Sequence, residues 1–175
     1  MNLPNKLTVL RVIAVPIFVI LFMNKHFWTA ILVFSLASIT DLLDGKIARS
    51  RGLVTNFGKI MDPLADKILV YSAFSLMVAN GMIPAWVLIV ILAREFTVSG
   101  MRTVAASEGI VIAAAMSGKI KTVLQMLSVI ALLLLNAIAS TVLTVTAYVL
   151  LYASLVMTVF SGIEYVIKNR KVFTL

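Results

Sequence analysis

Four aspartates clustered within 26 residues are the side chains best suited to chemistry in this sequence. Asp41 and Asp44 are three residues apart, so they share one face of a helix. Asp62 and Asp66 are four apart and share a face as well. The short turn at residues 51–57 predicts that the two helices are antiparallel neighbours. Carboxylates gathered in this way repel one another unless cations lie between them. Two divalent ions about 4 Å apart would meet that need, and such a pair supports phosphoryl chemistry.

The metal in such a site would be bound by oxygen. The chain has no cysteine and a single histidine, His26, so the ligand set favours magnesium, manganese or calcium over zinc. Asp62 precedes Pro63 and could instead cap the start of a helix, a role that does not exclude metal binding. A purely structural role for all four aspartates is disfavoured because buried carboxylates are costly in a membrane.

The elements that must hold these aspartates are membrane helices. Of the 175 residues 62% are hydrophobic, and the mean hydropathy is +1.10. Six apolar segments are long enough to cross a hydrocarbon core of about 30 Å, and lipid allows spans only as helices or closed barrels. We therefore predict an all-α integral membrane protein with six transmembrane helices and one catalytic domain over residues 1–175. The predicted spans are 7–23, 28–50, 59–80, 83–106, 120–136 and 141–167.

The basic residues predict the orientation of these spans. The net charge is +8, but the cations are spread between apolar runs rather than gathered on one face, which argues against nucleic acid as a partner. Membrane lipid and phosphorylated small molecules fit better. With both ends in the cytoplasm, only Lys25 and His26 lie on the opposite side. The cytoplasmic side then holds Lys6, Arg11, Lys46, Arg49, Arg51, Lys59, Arg102, Lys119, Lys121, Lys168, Arg170 and Lys171.

The aspartates belong to a longer pattern, D-x2-D-G-x2-A-R-x8-G-x3-D-x3-D, that runs from Asp41 to Asp66. At every specified position it resembles the signature of the CDP-alcohol phosphotransferase family. The resemblance implies a six-helix protomer, usually in a homodimer, in the bacterial cytoplasmic membrane with its site open to the cytoplasm. It also implies transfer of the phosphatidyl group of CDP-diacylglycerol to an alcohol, with CMP as leaving group. On this basis the first three aspartates bind two divalent cations, Mg²⁺ or Mn²⁺, and Asp66 completes the metal site and acts as general base.

The same resemblance assigns residues to the CDP-linked lipid. The small residues would make room for the nucleotide, and the arginine would lie near its phosphates. Alternatively, the glycines allow close helix packing, and the polar residues near the N-terminus start the first helix. The residues concerned are Asn5, Thr8, Gly45, Ala48, Arg49 and Gly58.

Cations in the later spans are candidates for the acceptor site, because embedding them is costly. Arg94 and Arg102, with Lys119 and Lys121, would favour an acceptor that carries its own phosphate. Each has an ordinary alternative. Arg94 could pair with Glu95, and the two lysines could be positive-inside residues. Lys67, beside Asp66, could extend outward along the membrane surface. The sixth span contributes no predicted site residue.

Further segments resemble the bacterial phosphatidylglycerophosphate synthases of the family. They are residues 4–11, 62–67, 93–95 and 118–122. This likeness implies sn-glycerol 3-phosphate as the acceptor and phosphatidylglycerophosphate as the product. Phosphatidylglycerol, as in cardiolipin synthases, and inositol phosphate remain alternative acceptors. An aspartyl intermediate remains an alternative to direct transfer, and a small ion transporter is the alternative outside enzymes.

Overall fold

A computed structural model gives the backbone of residues 3–50, 56–110, 112–113 and 115–170. It gives the side-chain environments of residues 5–40, 61, 64–65, 67–110, 112–113 and 115–170. Within these ranges the chain forms six α-helices and no strand, so the predicted all-α fold is confirmed. The helices are α1 (Leu3–Met23), α2 (Phe27–Ser50), α3 (Asn56–Ala79), α4 (Ala85–Ser107), α5 (Met116–Ala137) and α6 (Thr141–Lys168).

The helix boundaries lie close to the predicted ones. The largest differences are at the starts of α1 and α5, which begin at Leu3 and Met116 rather than at residues 7 and 120. Both extensions are rich in polar or small residues, which an apolar pattern does not detect. The break predicted between the third and fourth spans, at residues 81–82, is a turn in the structure. Gly81 occupies it with a φ of 69°, a conformation that glycine adopts without steric cost.

The apolar character of the helices is that of a multi-pass membrane protein. Among the described residues, α1, α5 and α6 are long and apolar enough to cross a membrane. Shorter apolar segments occupy Phe27–Thr40 of α2 and Lys67–Ala79 of α3. Large apolar side chains such as Ile20 and Val142 are exposed on the outer surface, where lipid rather than water is the favourable solvent.

The interior of the bundle divides into an apolar half and a polar half. The apolar half is a continuous core that includes Phe18, Phe34, Phe74, Leu132 and Leu151. The buried polar residues lie nearer the opposite end of their helices. They are Asn5, Thr8, Arg11, Ser38, Glu95, Lys121, Gln125, Ser128, Ser154, Thr158 and Ser161. Because buried polar groups are costly in a membrane and usually serve function, the polar half is the place to look for a site.

The helices pack as two groups that meet in the middle of the bundle. The helix α1 packs against α2 and α3, while α6 packs against α4 and, most extensively, α5. The two groups meet where α5 contacts α2 and α3 and where α4 contacts α3. This packing places cations from the second group beside the two helices that carry the aspartates.

Candidate active site

The four aspartates lie inside two helices that contact each other. Asp41 and Asp44 belong to α2, and Asp62 and Asp66 to α3. Helical spacing keeps each pair on one face, while the four side chains are outside the described residues. Since α3 begins at Asn56, Asp62 lies within the helix, and the alternative of an N-terminal cap is wrong.

The chemistry of this donor set fits the predicted metal. Carboxylate oxygens are the ligands that Mg²⁺ and Mn²⁺ prefer, and the helices that carry them are adjacent. Within the described part of the chain, no group of three acidic or histidine side chains could hold a metal ion. The predicted metal site therefore depends on the four aspartates.

Most residues predicted to contact the nucleotide also lie on these helices. Their backbone is helical, and their side chains are outside the described residues. They are Gly45, Ala48 and Arg49 in α2 and Gly58 in α3.

The inner face of α1 lies beside α2 just before the first aspartate. Asn5 and Thr8 are buried on α1, as is Arg11, which is only 1% exposed. The Arg11 Nε donates a hydrogen bond to the carbonyl oxygen of Ala37, with a distance of 3.4 Å. Ala37 precedes Asp41 by one helical turn. Arg11 was not among the predicted site residues, although a lone arginine in an apolar span indicates a functional position.

A cavity of about 820 Å³ opens between α2, α3, α4, α5 and α6. This volume is typical of small-molecule sites, which occupy roughly 300–1,000 Å³. One described carboxylate lines it, that of Glu95. The cations that line it are Lys67, Arg94, Arg102 and Lys119. The excess of positive charge suits an anionic ligand.

Two residues of the cavity wall are close neighbours of the aspartates in the sequence. Ile39 lines the cavity two residues before Asp41, and Lys67 lines it directly after Asp66. Along α5 the wall becomes apolar at Val123 and Leu127. The cavity therefore joins a cationic region to an apolar one, and its wall includes residues next to the aspartates along α2 and α3.

Arg94 is held in the cavity wall by contacts from two helices. Its Nη1 lies 3.3 Å from the Glu95 carboxylate, and its Nη2 donates to the Ser161 hydroxyl of α6 at 3.0 Å. Its aliphatic stem passes over Gly162, where an added Cβ would lie 2.8 Å from the Arg94 Cγ. The predicted alternative of an Arg94–Glu95 pair is therefore present, and the same arginine also lines the cavity.

Arg102 and Lys119 lie nearer the surface than Arg94. Both are exposed. The Arg102 Nε donates to the Tyr165 hydroxyl at 3.2 Å, and its guanidinium carbon lies 5.7 Å from the centre of the same ring. Tyr165 thus orients Arg102 at the cavity wall.

Lys67 points into the bundle rather than along its outer surface. Its Nζ donates to the Ser99 hydroxyl at 2.5 Å and lies 3.8 Å from the Glu95 carboxylate. The alternative of an outward lysine is wrong, because both partners of Lys67 lie on the neighbouring helix α4 and line the same cavity.

Lys121 is separated from the other three predicted acceptor cations. It is buried and donates a hydrogen bond to Glu95. It lines a smaller cavity of about 40 Å³, together with Tyr71 and Gln125. The structure therefore brings Arg94, Arg102 and Lys119 together at the larger cavity but places Lys121 behind Glu95.

The helix α6 contributes side chains to the site that were not predicted from the sequence. Ser161 and Gly162 hold Arg94, and Tyr165 holds Arg102. The signal was a row of buried polar side chains, Thr158 and Ser154 among them, spaced three or four residues apart along an apolar helix.

This membrane fold and its sequence define the class of the protein. Residues 1–160 match the family described as CDP-alcohol phosphatidyltransferase, and the chain belongs to that family. The predicted family is thereby confirmed. The protein is an enzyme rather than an ion transporter.

Named relatives cover almost the whole chain. A CDP-diacylglycerol–glycerol-3-phosphate 3-phosphatidyltransferase of Bacillus subtilis (strain 168) is 44% identical over 96% of this chain and 95% of its own. A protein of the same name from Rickettsia typhi is 37% identical over 94% of each chain. A probable phosphatidylglycerophosphate synthase of Mycobacterium tuberculosis (strain H37Rv) is 39% identical over 94% of this chain and 80% of its own.

Proposed function

We propose that this enzyme transfers the phosphatidyl group of CDP-diacylglycerol to sn-glycerol 3-phosphate, giving phosphatidylglycerophosphate and CMP. The observation that carries the proposal is the cationic cavity that adjoins the aspartate helices. The names of the relatives from Bacillus subtilis and Rickettsia typhi agree with it.

The donor lipid binds at the cytoplasmic ends of α1, α2 and α3. Asn5 and Thr8 approach the cytidine diphosphate, and Arg49 lies near its phosphates. Gly45, Ala48 and Gly58 leave space for the nucleotide against the helix backbones. The four aspartates would hold two divalent cations, and such ions would supply positive charge opposite the diphosphate and the leaving CMP.

The reaction is a single displacement at the lipid-side phosphorus. Asp66 accepts the proton of the glycerol 1-hydroxyl, and the hydroxyl oxygen forms a bond to the β-phosphorus. The bond from that phosphorus to the oxygen of CMP breaks, and CMP leaves with the electron pair. Stereochemistry at phosphorus tests this sequence of events, since inversion is expected and retention would favour an aspartyl intermediate.

The acceptor phosphate binds between Arg94, Arg102 and Lys119. A cavity lined by these cations attracts a phosphate monoester and repels choline or ethanolamine. An arginine fork suits phosphate oxygens because it can donate two hydrogen bonds at once. Lys67, which follows Asp66 directly in the sequence, also lines this cavity and adds a further cation to it.

The cell membrane and its cytoplasmic face are the proposed location. The buried polar residues and the exposed Arg102 and Lys119 share the end of the bundle where the positive-inside rule puts the cytoplasm. That side also supplies a water-soluble acceptor. The homodimer implied by the family resemblance stays a prediction.

An acceptor panel tests the proposed function. Purified protein in liposomes would receive CDP-diacylglycerol with sn-glycerol 3-phosphate, inositol phosphate, serine or phosphatidylglycerol, and CMP release would be measured. We expect the highest kcat/KM with sn-glycerol 3-phosphate. An equal or higher value with another acceptor would contradict the choice of acceptor while leaving the donor chemistry intact.

Gly162→Ala tests the acceptor site by displacing Arg94 without changing any of the proposed acceptor ligands. The new methyl group would meet the Arg94 Cγ at 2.8 Å, so the guanidinium must shift. We expect KM for sn-glycerol 3-phosphate to rise by about tenfold or more, because small displacements of a positioning group are costly. KM for CDP-diacylglycerol should not change.

Gly100→Ala is the matched control. It makes the same substitution in a neighbouring helix, where an added Cβ meets nothing within 4 Å. It should leave both KM values unchanged. Wild-type acceptor kinetics in Gly162→Ala would show that Arg94 does not bind the acceptor.

A further inference from the structure

We propose that Glu95 is a positioning residue for the acceptor site and that Lys121 is its buried counter-charge rather than a ligand of the acceptor phosphate. This inference rests on the proposed function, because it concerns how the acceptor cations are arranged. It gives a role to Glu95, the one described carboxylate that lines the cavity.

Glu95 is the centre of the charged cluster. It lies near the middle of α4 and is 9% exposed. Its two oxygens contact cations from three helices: Lys67 of α3 at 3.8 Å, its neighbour Arg94 at 3.3 Å, and Lys121 of α5 by a hydrogen bond. A carboxylate with cations on both sides fixes their positions relative to one another.

The cations that contact Glu95 differ in the cavity they line: Arg94 lines the large one, Lys121 the small one, and Lys67 both. Arg94 and Lys67 line the large cavity, where a ligand can meet them. Lys121 lines the small cavity of about 40 Å³, which is far below the roughly 300 Å³ at the lower end of small-molecule sites. With 4% of its side chain exposed, Lys121 is poorly placed to touch the acceptor.

The pairing solves an electrostatic problem. A carboxylate is needed to orient the Arg94 guanidinium, but its negative charge would cancel part of the attraction for a phosphate. Lys121 supplies a positive charge from behind, so the cluster keeps the charge of Lys67 and Arg94 available to the ligand. Burial of the pair strengthens this compensation because the surroundings screen it little.

Arg94 retains donors for the acceptor when it is held in this way. Its Nη1 and Nη2 each carry two hydrogens. One nitrogen is directed by Glu95 and the other by Ser161. The Ser161 hydroxyl donates its own hydrogen to the carbonyl oxygen of Thr158, so it can accept from Arg94. The guanidinium is therefore oriented before the ligand arrives.

Whether Glu95→Gln weakens or tightens acceptor binding distinguishes a positioning role from an effect of net charge. If the cavity attracted phosphate only through its total charge, loss of a negative charge would tighten acceptor binding. If Glu95 positions Arg94, the same change weakens it. We expect the KM for sn-glycerol 3-phosphate and its equilibrium Kd without CDP-diacylglycerol to rise by about tenfold, the cost of one charged hydrogen bond. The KM for CDP-diacylglycerol and kcat should change little.

A double-mutant cycle tests the role of Lys121. We expect Lys121→Met to raise the acceptor Kd in the wild-type background, because Glu95 then competes with the ligand for Arg94 and Lys67. In the Glu95→Gln background the same change should have almost no further effect. A lysine that binds the phosphate directly would instead show the same fold-loss in both backgrounds, and that result would overturn the counter-charge.

Glu95→Asp keeps the test decisive if the neutral variants fail to fold. It preserves the charge and shortens the side chain by one methylene, so positioning predicts a weaker acceptor Kd with thermal unfolding close to wild type. An unchanged or tighter Kd in Glu95→Gln or Glu95→Asp would overturn the inference. The Kd is measured without turnover, so it tests the role of Glu95 independently of the reaction. A preference for another acceptor would appear in the CMP-release panel and would contradict the proposed function instead.

Discussion

Exchange of Asp66 for asparagine is expected to lower kcat for CMP release by about 10²- to 10⁴-fold, the usual contribution of a general base. Asparagine keeps the size of the side chain and one oxygen that can face a cation, but it cannot accept the proton of the acceptor hydroxyl. KM for CDP-diacylglycerol should therefore change much less than kcat. Steady-state CMP release with both substrates varied measures the two quantities.

A second carboxylate-to-amide exchange provides the control for Asp66→Asn. Glu108→Gln makes the equivalent change at the exposed C-terminal end of α4 and should leave kcat at the wild-type value. Substantial turnover in Asp66→Asn would remove Asp66 as the base. A parallel rise in KM for CDP-diacylglycerol would indicate that its main role is in holding the donor.

Removal of divalent cations is expected to reduce CMP release to background. Four carboxylates on two adjacent helices need counter-charge, and the chain has no cysteine that could bind a softer metal. Dialysis against a chelator followed by graded addition of Mg²⁺ or Mn²⁺ would measure the dependence. Activity that survives thorough chelation would contradict the metal site.

Asp44→Asn links this dependence to the predicted ligands. With one charged ligand lost, the variant should need a higher concentration of Mg²⁺ for half-maximal activity than the wild type. Glu164→Gln is a suitable comparison, because Glu164 pairs with Lys168 on α6 and is not among the predicted ligands. The same Mg²⁺ dependence in Asp44→Asn and wild type would remove Asp44 from the metal site.

The prediction of a metal site and the prediction of six helices both rest on local features of the sequence. Helical spacing placed Asp41 and Asp44 on one face and Asp62 and Asp66 on another without reference to any contact. Apolar length identified six helices to within four residues at each end. These features depend on neighbours along the chain, and a sequence reports such neighbours directly.

The arrangement of the cations was decided by tertiary packing. The sequence named Arg94, Arg102, Lys119 and Lys121 as one group, but the packing puts Lys121 behind Glu95. It also turns Lys67 toward Ser99 of α4.

The four aspartates thus came from the sequence by itself, through the period of the helix and the cost of charge in lipid. The contacts of Arg94 with Ser161 and Gly162 are visible only in the tertiary structure, because 67 residues separate Arg94 from Ser161. Helical periodicity tells which residues share a face, but it does not tell which helix that face will meet. The predicted metal site therefore rests on local sequence patterns, whereas the proposed acceptor site depends on how α3, α4, α5 and α6 pack.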